Sequence, residues 1–95
     1  MWSCPDVPFE WDETKRLSNL EKHGIDFVDA VRIFDEPIVE TPSTSPGEER
    51  WKVVGPCDDV LIAVVCTFRD GRCRIISARR AHRNERAQYH AYHPP

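Results

Sequence analysis

Arginine side chains dominate the chemistry available to the last third of this 95-residue chain. Residues 69–95 contain seven arginines, no lysine and two acidic residues, so this segment has a net charge of +5 although the whole chain has −3. The seven are Arg69, Arg72, Arg74, Arg79, Arg80, Arg83 and Arg86. A guanidinium matches phosphate and carboxylate groups, so an anionic partner is expected, either nucleic acid or an acidic protein. The alternative is a solvated face that pairs with the acidic first part of the chain.

A second group of candidate side chains lies on a helix predicted near the N-terminus. On a helical wheel one face is apolar, with Leu17 and Leu20, and the opposite face is polar. The polar face carries Lys15, Asn19, Lys22 and His23. An imidazole titrates near neutral pH, which makes His23 the best candidate for proton transfer. Its alternative role is a cation at the helix C-terminus, next to Gly24.

Two further candidates lie on a helix predicted near the C-terminus. Tyr89 can donate a proton or stack on a base, and it can equally pack against the core. Glu85 can act as a base, but a salt bridge to an arginine is the commoner arrangement. We expect Tyr92 to pack, and His82, His90 and His93 to lie on the surface.

The cysteines do not predict a metal centre or a disulfide framework. The spacing of the four cysteines contains no C-x-x-C pair and matches no usual zinc site. No cluster of acidic residues near the arginines suggests two-metal catalysis. We therefore expect neither metal nor cofactor.

The N-terminal half contains start and stop signals for two helices. Phe9–Trp11 alternates like a short strand, Asp12 is a favourable N-cap, and Gly24 is a favourable C′ residue, which predicts a helix over about 13–23. Asp26 can cap a second helix, which must end before Pro37.

The C-terminal half predicts strands and one helix. Residues 41–49 are typical of a surface loop, and strands are expected over 50–55, 60–69 and 72–80, followed by a helix over about 82–92. The class is α+β, with an antiparallel meander flanked by two N-terminal helices and one C-terminal helix.

The Asp70-Gly71 turn predicts how the last two strands pair. A two-residue turn places Val65 opposite Ile76 and Leu61 opposite Arg80, so one sheet face carries four arginines. These are Arg69, Arg72, Arg74 and Arg80. The other, mostly apolar face carries Arg79 and packs on the helices, unless a bulge exchanges the two faces beyond it.

The length of the chain fits one domain over residues 1–95, with an arm over 1–8 and a tail over 90–95. The longest apolar run is Val60–Cys66, which is too short to cross a bilayer. Because the first residues do not follow the pattern of a secretory signal, we expect a cytoplasmic protein.

Several motifs together resemble the BrnT family, the toxin halves of bacterial type II toxin–antitoxin modules. The similarity runs from residue 9 to residue 89. It is carried by Phe9-x-Trp11-Asp12-x-x-Lys15-x-x-x-Asn19-x-x-Lys22-His23-Gly24-Ile25-x-Phe27, Phe34-Asp35-x-Pro37, Glu49-Arg50 and Arg74-Ile75-Ile76-Ser77-Ala78-Arg79-Arg80-Ala81-x-x-x-Glu85-x-x-x-Tyr89. The chain departs from the pattern after Ala81, where the family often has Ser or Thr and this sequence has His82.

The resemblance implies a RelE-like fold and an endoribonuclease that cleaves RNA without metal and arrests translation. It also implies a partner, a BrnA-like antitoxin with a ribbon-helix-helix part, which forms a hetero-oligomer with the toxin and binds operator DNA. A non-catalytic module, whose arginine face docks RNA or an acidic protein, is the alternative.

Metal-free cleavage by a ribose 2′-OH needs proton transfer and cations around the phosphate. We expect the catalytic groups to be His23, Arg69, Arg79, Arg80 and Tyr89, and the phosphate-binding groups to be Lys15, Lys22, Arg72, Arg74 and Arg83. Arg69 and Arg80 would lie roughly 20–25 Å apart at the ordinary strand rise, so we expect two clusters. One is Arg69 with Arg72 and Arg74, and the other is Arg79 with Arg80. The sequence leaves open which cluster binds RNA and which binds the antitoxin.

Overall fold

The computed structural model describes residues 8–43 and 49–94, so the predicted arm, apart from Pro8, lies outside it. Five strands form one sheet in the order β1-β5-β4-β3-β2. The strands are β1 (Phe9–Trp11), β2 (Val39–Ser43), β3 (Arg50–Cys57), β4 (Val60–Arg69) and β5 (Arg72–Arg80). The helices are α1 (Glu13–His23), α2 (Phe27–Ala30) and α3 (Arg83–Tyr92), with a 3₁₀ segment over Val31–Asp35.

This architecture confirms the α+β class and corrects two details of the sheet. The sheet is mixed rather than antiparallel, because β1 runs parallel to β5. Residues 41–43 of the predicted loop belong to edge strand β2, where Thr41 pairs with Lys52, and the part over 44–48 lies outside the described residues. Pro42 favours a loop when the sequence is considered alone. An edge strand nevertheless tolerates proline, because one of its sides has no neighbouring strand.

Helix α1 begins and ends where its capping residues predict. The Asp12 carboxylate accepts hydrogen bonds from the backbone N–H groups of Thr14 and Lys15, at 2.8 and 3.2 Å. Gly24 adopts the left-handed conformation, with φ of 71°, and its N–H donates to the Leu20 carbonyl at 2.8 Å. These contacts satisfy backbone groups that a helix otherwise leaves unpaired at its ends.

Helix α1 contacts the sheet through Asn19 rather than through the apolar stripe that the sequence suggests. Asn19 is buried, whereas Leu17 and Leu20 are exposed. The Asn19 amide donates to the carbonyls of Ile25 and Ala78 and accepts from the Ala78 N–H. The buried amide is therefore fully paired, and it joins the end of α1 to strand β5.

A bulge in β5 changes the predicted pairing of the last two strands. The turn forms as expected, with positive φ at Asp70 and Gly71 and Arg69 opposite Arg72. Val65 then pairs with Ser77 while Cys66 pairs with Ile75, so one extra residue lies between them in β5. The predicted pairs Val65–Ile76 and Leu61–Arg80 are therefore wrong.

The bulge exchanges the sides on which the last arginines of β5 lie. Arg80 pairs with core residue Ile62, and Arg79 pairs with Ala63, which packs near α3. The structure thus places Arg79, not Arg80, on the face with Arg72 and Arg74. A β-bulge has this effect because side chains alternate along a strand, so one inserted residue inverts the order.

The core lies on both sides of the sheet. On one side, Phe27 and Ile33 pack with Val64 and Ile75, and on the other Val54 and Ala63 pack with Tyr89 of α3. None of the helices in the described ranges has the length and apolar character that crossing a bilayer requires.

Candidate nucleic-acid interface

Six cationic residues lie on the side of the sheet that carries α3, and we call this surface the basic sheet face. They are Arg50, Lys52, Arg69, Arg72, Arg74 and Arg79. The strand register places them on one face. Lys52 pairs with Val65 and Val65 pairs with Ser77, and every second residue along β3 and β4 lies on the same face as these. Four of these cations, Lys52, Arg72, Arg74 and Arg79, share two acidic partners, Glu10 and Glu85. The surface is therefore suited to a chain of phosphates.

The buried carboxylate of Glu85 organises the end of this face next to α3. Arg79 forms a two-pronged bridge to it, with Nη1 and Nη2 at 2.7 and 2.9 Å from the two oxygens. Lys52 Nζ lies 2.9 Å from Oε2, and the backbone N–H of His82 donates to Oε1 at 2.7 Å. Four donors thus converge on a side chain that is 4% exposed.

The contacts around Glu85 fix its charge. The hydrogen bonds from Arg79 hold the pKa of the Glu85 carboxyl far below its usual range, and those from His82 and Lys52 lower this pKa further. The same bridge raises the pKa of the Arg79 guanidinium. Glu85 therefore stays ionised at neutral pH and acts as an anchor for two cations, which confirms the salt bridge expected from the sequence.

The far end of the basic sheet face is organised by Glu10 of strand β1. Arg74 Nη1 lies 3.0 Å from one carboxylate oxygen and Arg72 Nη1 lies 3.5 Å from the other. The hydrogen bond from Arg74 lowers the pKa of Glu10. Because one carboxylate serves two guanidinium groups, the pair keeps a net positive charge toward solvent.

The opposite side of the sheet holds two of the residues that the sequence selected as catalytic. His23 and Arg80 line one cavity of about 410 Å³ at the end of α1. Arg32 lines it as well, and its Nη2 lies 3.1 Å from Asp58 Oδ2. His23 and Arg80 are thus brought together, but the sheet separates them from Arg79.

The remaining candidates lie away from the basic sheet face or inside the fold. Lys15 and Lys22 are exposed on α1, which packs against the other side of the sheet, and Arg83 is exposed at the start of α3. Tyr89 is buried and its hydroxyl donates to the Pro37 carbonyl at 2.8 Å, so it ties α3 to the chain before β2. Tyr92, expected to pack, is 68% exposed.

Sequence reasoning did not select Lys52 or Arg50 as phosphate-binding residues. They are two residues apart at the start of β3, and this spacing is the signal that places them on one face. The register of that strand follows from Cys57 pairing with Val60 across a two-residue turn. Cys57, Cys66 and Cys73 carry free thiols, and Cys4 lies outside the described residues.

Comparison with known proteins identifies the family. The comparison with curated proteins gives no match. The family described as the ribonuclease toxin BrnT of type II toxin–antitoxin systems matches residues 11–85, which include β1 residue Trp11, all of strands β2–β5 and Glu85. Because this match spans more than half of the chain, the protein belongs to the BrnT family of ribonuclease toxins.

Proposed function

We propose that this toxin is a metal-independent endoribonuclease that binds RNA along the basic sheet face and thereby inhibits translation. The observation that carries the proposal is the convergence of six cations on one side of the sheet, two of them anchored by buried Glu85. Cleavage would proceed by attack of a ribose 2′-oxygen on the adjacent phosphorus. The P–O5′ bond breaks, which leaves a 2′,3′-cyclic phosphate and a 5′-hydroxyl.

The chemistry of this step explains why fixed cations matter. Negative charge accumulates on the phosphoryl oxygens as the fifth bond to phosphorus forms, and groups already in place stabilise it without reorganising. Lys52 and Arg79 are held by Glu85 and still expose about a quarter of their side chains, 28% and 26%. They are therefore our candidates for stabilising the transition state.

The arginines farther along the face suit the flanking phosphates. Successive rows of side chains on one face of a strand are about 7 Å apart, two residues at the ordinary rise. Arg74, and beyond it the pair of Arg69 and Arg72, thus extend the positive charge of this face away from Lys52. Extended RNA can follow such a track, with affinity that comes from counterion release.

The fold and setting of the protein belong to the same proposal. The five-stranded mixed sheet with three helices supports a RelE-like toxin fold in a single domain, and the reaction requires access to cellular RNA, hence a cytoplasmic location. Neither metal nor cofactor has a part in the proposed step, because the cations of the sheet supply the charge stabilisation.

The family implies an antitoxin as partner. We propose a BrnA-like antitoxin that forms a hetero-oligomer with the toxin and binds operator DNA through a ribbon-helix-helix part. Its inhibitory segment would bear acidic side chains and cover the basic sheet face, so that it excludes RNA by occupancy. Mapping the complex by hydrogen exchange tests this: protection confined to α1 and the loop at Asp58, with β5 unprotected, would contradict inhibition by blocking.

Cleavage in the presence of a chelator tests the proposed activity. Purified toxin is incubated with a defined RNA and EDTA, and the product ends are determined by mass spectrometry. We expect cyclic phosphate ends in the wild type, and cleavage reduced about 100-fold or more when Lys52 is replaced by Met, the scale of one transition-state donor. Binding without cleavage by the wild type would instead indicate a non-catalytic docking module.

A further inference from the structure

The imidazole of His82 is a titratable group beside the Glu85 cluster that the proposed function has not used. His82 lies between β5 and α3 and is the N-cap residue of the helix. Its Nδ1 lies 3.9 Å from Glu85 Oε1, the same oxygen to which Arg79 Nη1 donates. The side chain is 67% exposed, so it meets the cluster while facing solvent.

The charged groups around His82 come from three elements. Glu85 faces it from α3, Arg79 from β5, and Lys52 reaches the other oxygen of the same carboxylate from β3. Arg86 Nη1 donates to the carbonyl of Ala81, the residue just before His82. The imidazole is therefore at the end of the basic sheet face where the two anchored cations lie.

We infer that His82 is the general acid of RNA cleavage, a proposal that rests on the proposed function. Nδ1 is the ring nitrogen nearest Glu85, and Nε2, on the far side of the ring, donates its proton to the departing 5′-oxygen. As the O2′–P bond forms, the 2′-hydroxyl proton passes to water. The P–O5′ bond breaks, O5′ leaves as a hydroxyl with the proton from Nε2, and solvent restores that proton to the imidazole.

The other described histidines do not share this position. His23 lies on the opposite side of the sheet. His93 Nε2 is 3.0 Å from the Ile38 carbonyl, and the His90 ring contacts Tyr89 farther along α3. His90 is exposed on the same helix as the Glu85 anchor, so it provides a matched control for losing one imidazole.

A substrate with a sulfur leaving group separates proton donation from any structural role. In a 5′-phosphorothiolate RNA the leaving atom is sulfur, whose conjugate acid has a pKa of about 8.5 rather than that of an alcohol, so departure needs no proton. We expect His82→Asn to slow cleavage of ordinary RNA by about 100-fold or more, the usual contribution of general acid–base catalysis. On the thio substrate the same variant should cleave at nearly the wild-type rate, and His90→Asn should match wild type on both substrates.

Each outcome has a defined meaning. Asn is a favourable N-cap residue, so His82→Asn should keep α3 in place, which circular dichroism and the melting temperature verify. Wild-type rates for His82→Asn on ordinary RNA, or an equal loss on both substrates, would overturn the role of His82 while leaving the ribonuclease intact. If the wild type cleaves neither substrate, the proposed function fails and this inference fails with it.

Discussion

Replacing Glu85 with glutamine tests whether the buried carboxylate anchors the basic sheet face. The change preserves shape but removes the charge that Arg79 and Lys52 share and presents an NH₂ group to a ring of donors. Removing one partner of a buried ion pair costs about 3–5 kcal/mol. Because both cations here keep about a quarter of their side chains exposed, 26% and 28%, we expect the lower end, about 3 kcal/mol.

The effect must also depend on pH in a defined direction. The pKa of Glu85 in the folded protein lies well below its ordinary 4.5, so its stabilising contribution is fully present above pH 4.5 and is lost as the pH falls below it. The difference between wild type and Glu85→Gln should therefore be constant near pH 7. Below pH 4.5 it should shrink by about 1.4 kcal/mol per pH unit until the folded-state pKa is reached.

Urea unfolding at pH 7 and at pH 3.5 measures both effects. A loss of about 3 kcal/mol in the free energy of unfolding should also lower the melting temperature at pH 7 by roughly 12–24 °C, as for other domains of this size. Glu49, exposed and outside this cluster, gives a matched control in Glu49→Gln. A variant as stable as wild type at pH 7, or a deficit of equal size at both pH values, would refute the anchoring role.

Three further changes probe the fold and the binding surface. Asn19→Leu removes the two hydrogen bonds to Ala78 of β5 and the one to Ile25, and it should cost about 2–4 kcal/mol in urea unfolding, since it leaves the Ala78 N–H unpaired; a loss under 1 kcal/mol would contradict this. Gly55→Ala places a Cβ 2.9 Å from Ile38 Cγ2 and should cost about 1–3 kcal/mol in the same assay, whereas an unchanged midpoint would show that the sheet yields there. RNA affinity should fall about 50-fold between 50 and 200 mM salt if four net charges contact phosphates, and filter binding that hardly responds to salt would exclude the face as a phosphate site.

Signals confined to a few neighbouring residues predicted their elements well. Asp12 and Gly24 set both ends of α1, and Asp70-Gly71 set the last hairpin, because caps and tight turns depend on side chains within three or four residues. The arginine-rich segment likewise identified strand β5 as part of the candidate surface, since charge along a strand is visible without knowing the fold.

Features that depend on distant residues could not be predicted in the same way. The bulge in β5 has no glycine or proline to mark it, yet it decides that Arg79 rather than Arg80 joins the basic sheet face. Asn19 is polar and looks solvated until Ala78, 59 positions away, supplies its partners. Lys52 belongs to the site because it contacts the Glu85 carboxylate on α3. The sequence predicts both the strand and the helix, but not this contact between them.

The most direct test of the central claim compares two variants that each lose two positive charges from opposite sides of the sheet. Arg72→Gln with Arg74→Gln removes charge from the basic sheet face, and Lys15→Gln with Lys22→Gln removes the same charge from α1. The measurement is kcat/KM for RNA cleavage in EDTA, with the salt dependence of RNA binding. We predict that the first variant loses cleavage efficiency and that its salt slope, log K against log salt, falls by about 1.4, at about 0.7 per lost phosphate contact, while the second stays near wild type. The reverse result would contradict the account, because it would place the RNA on α1.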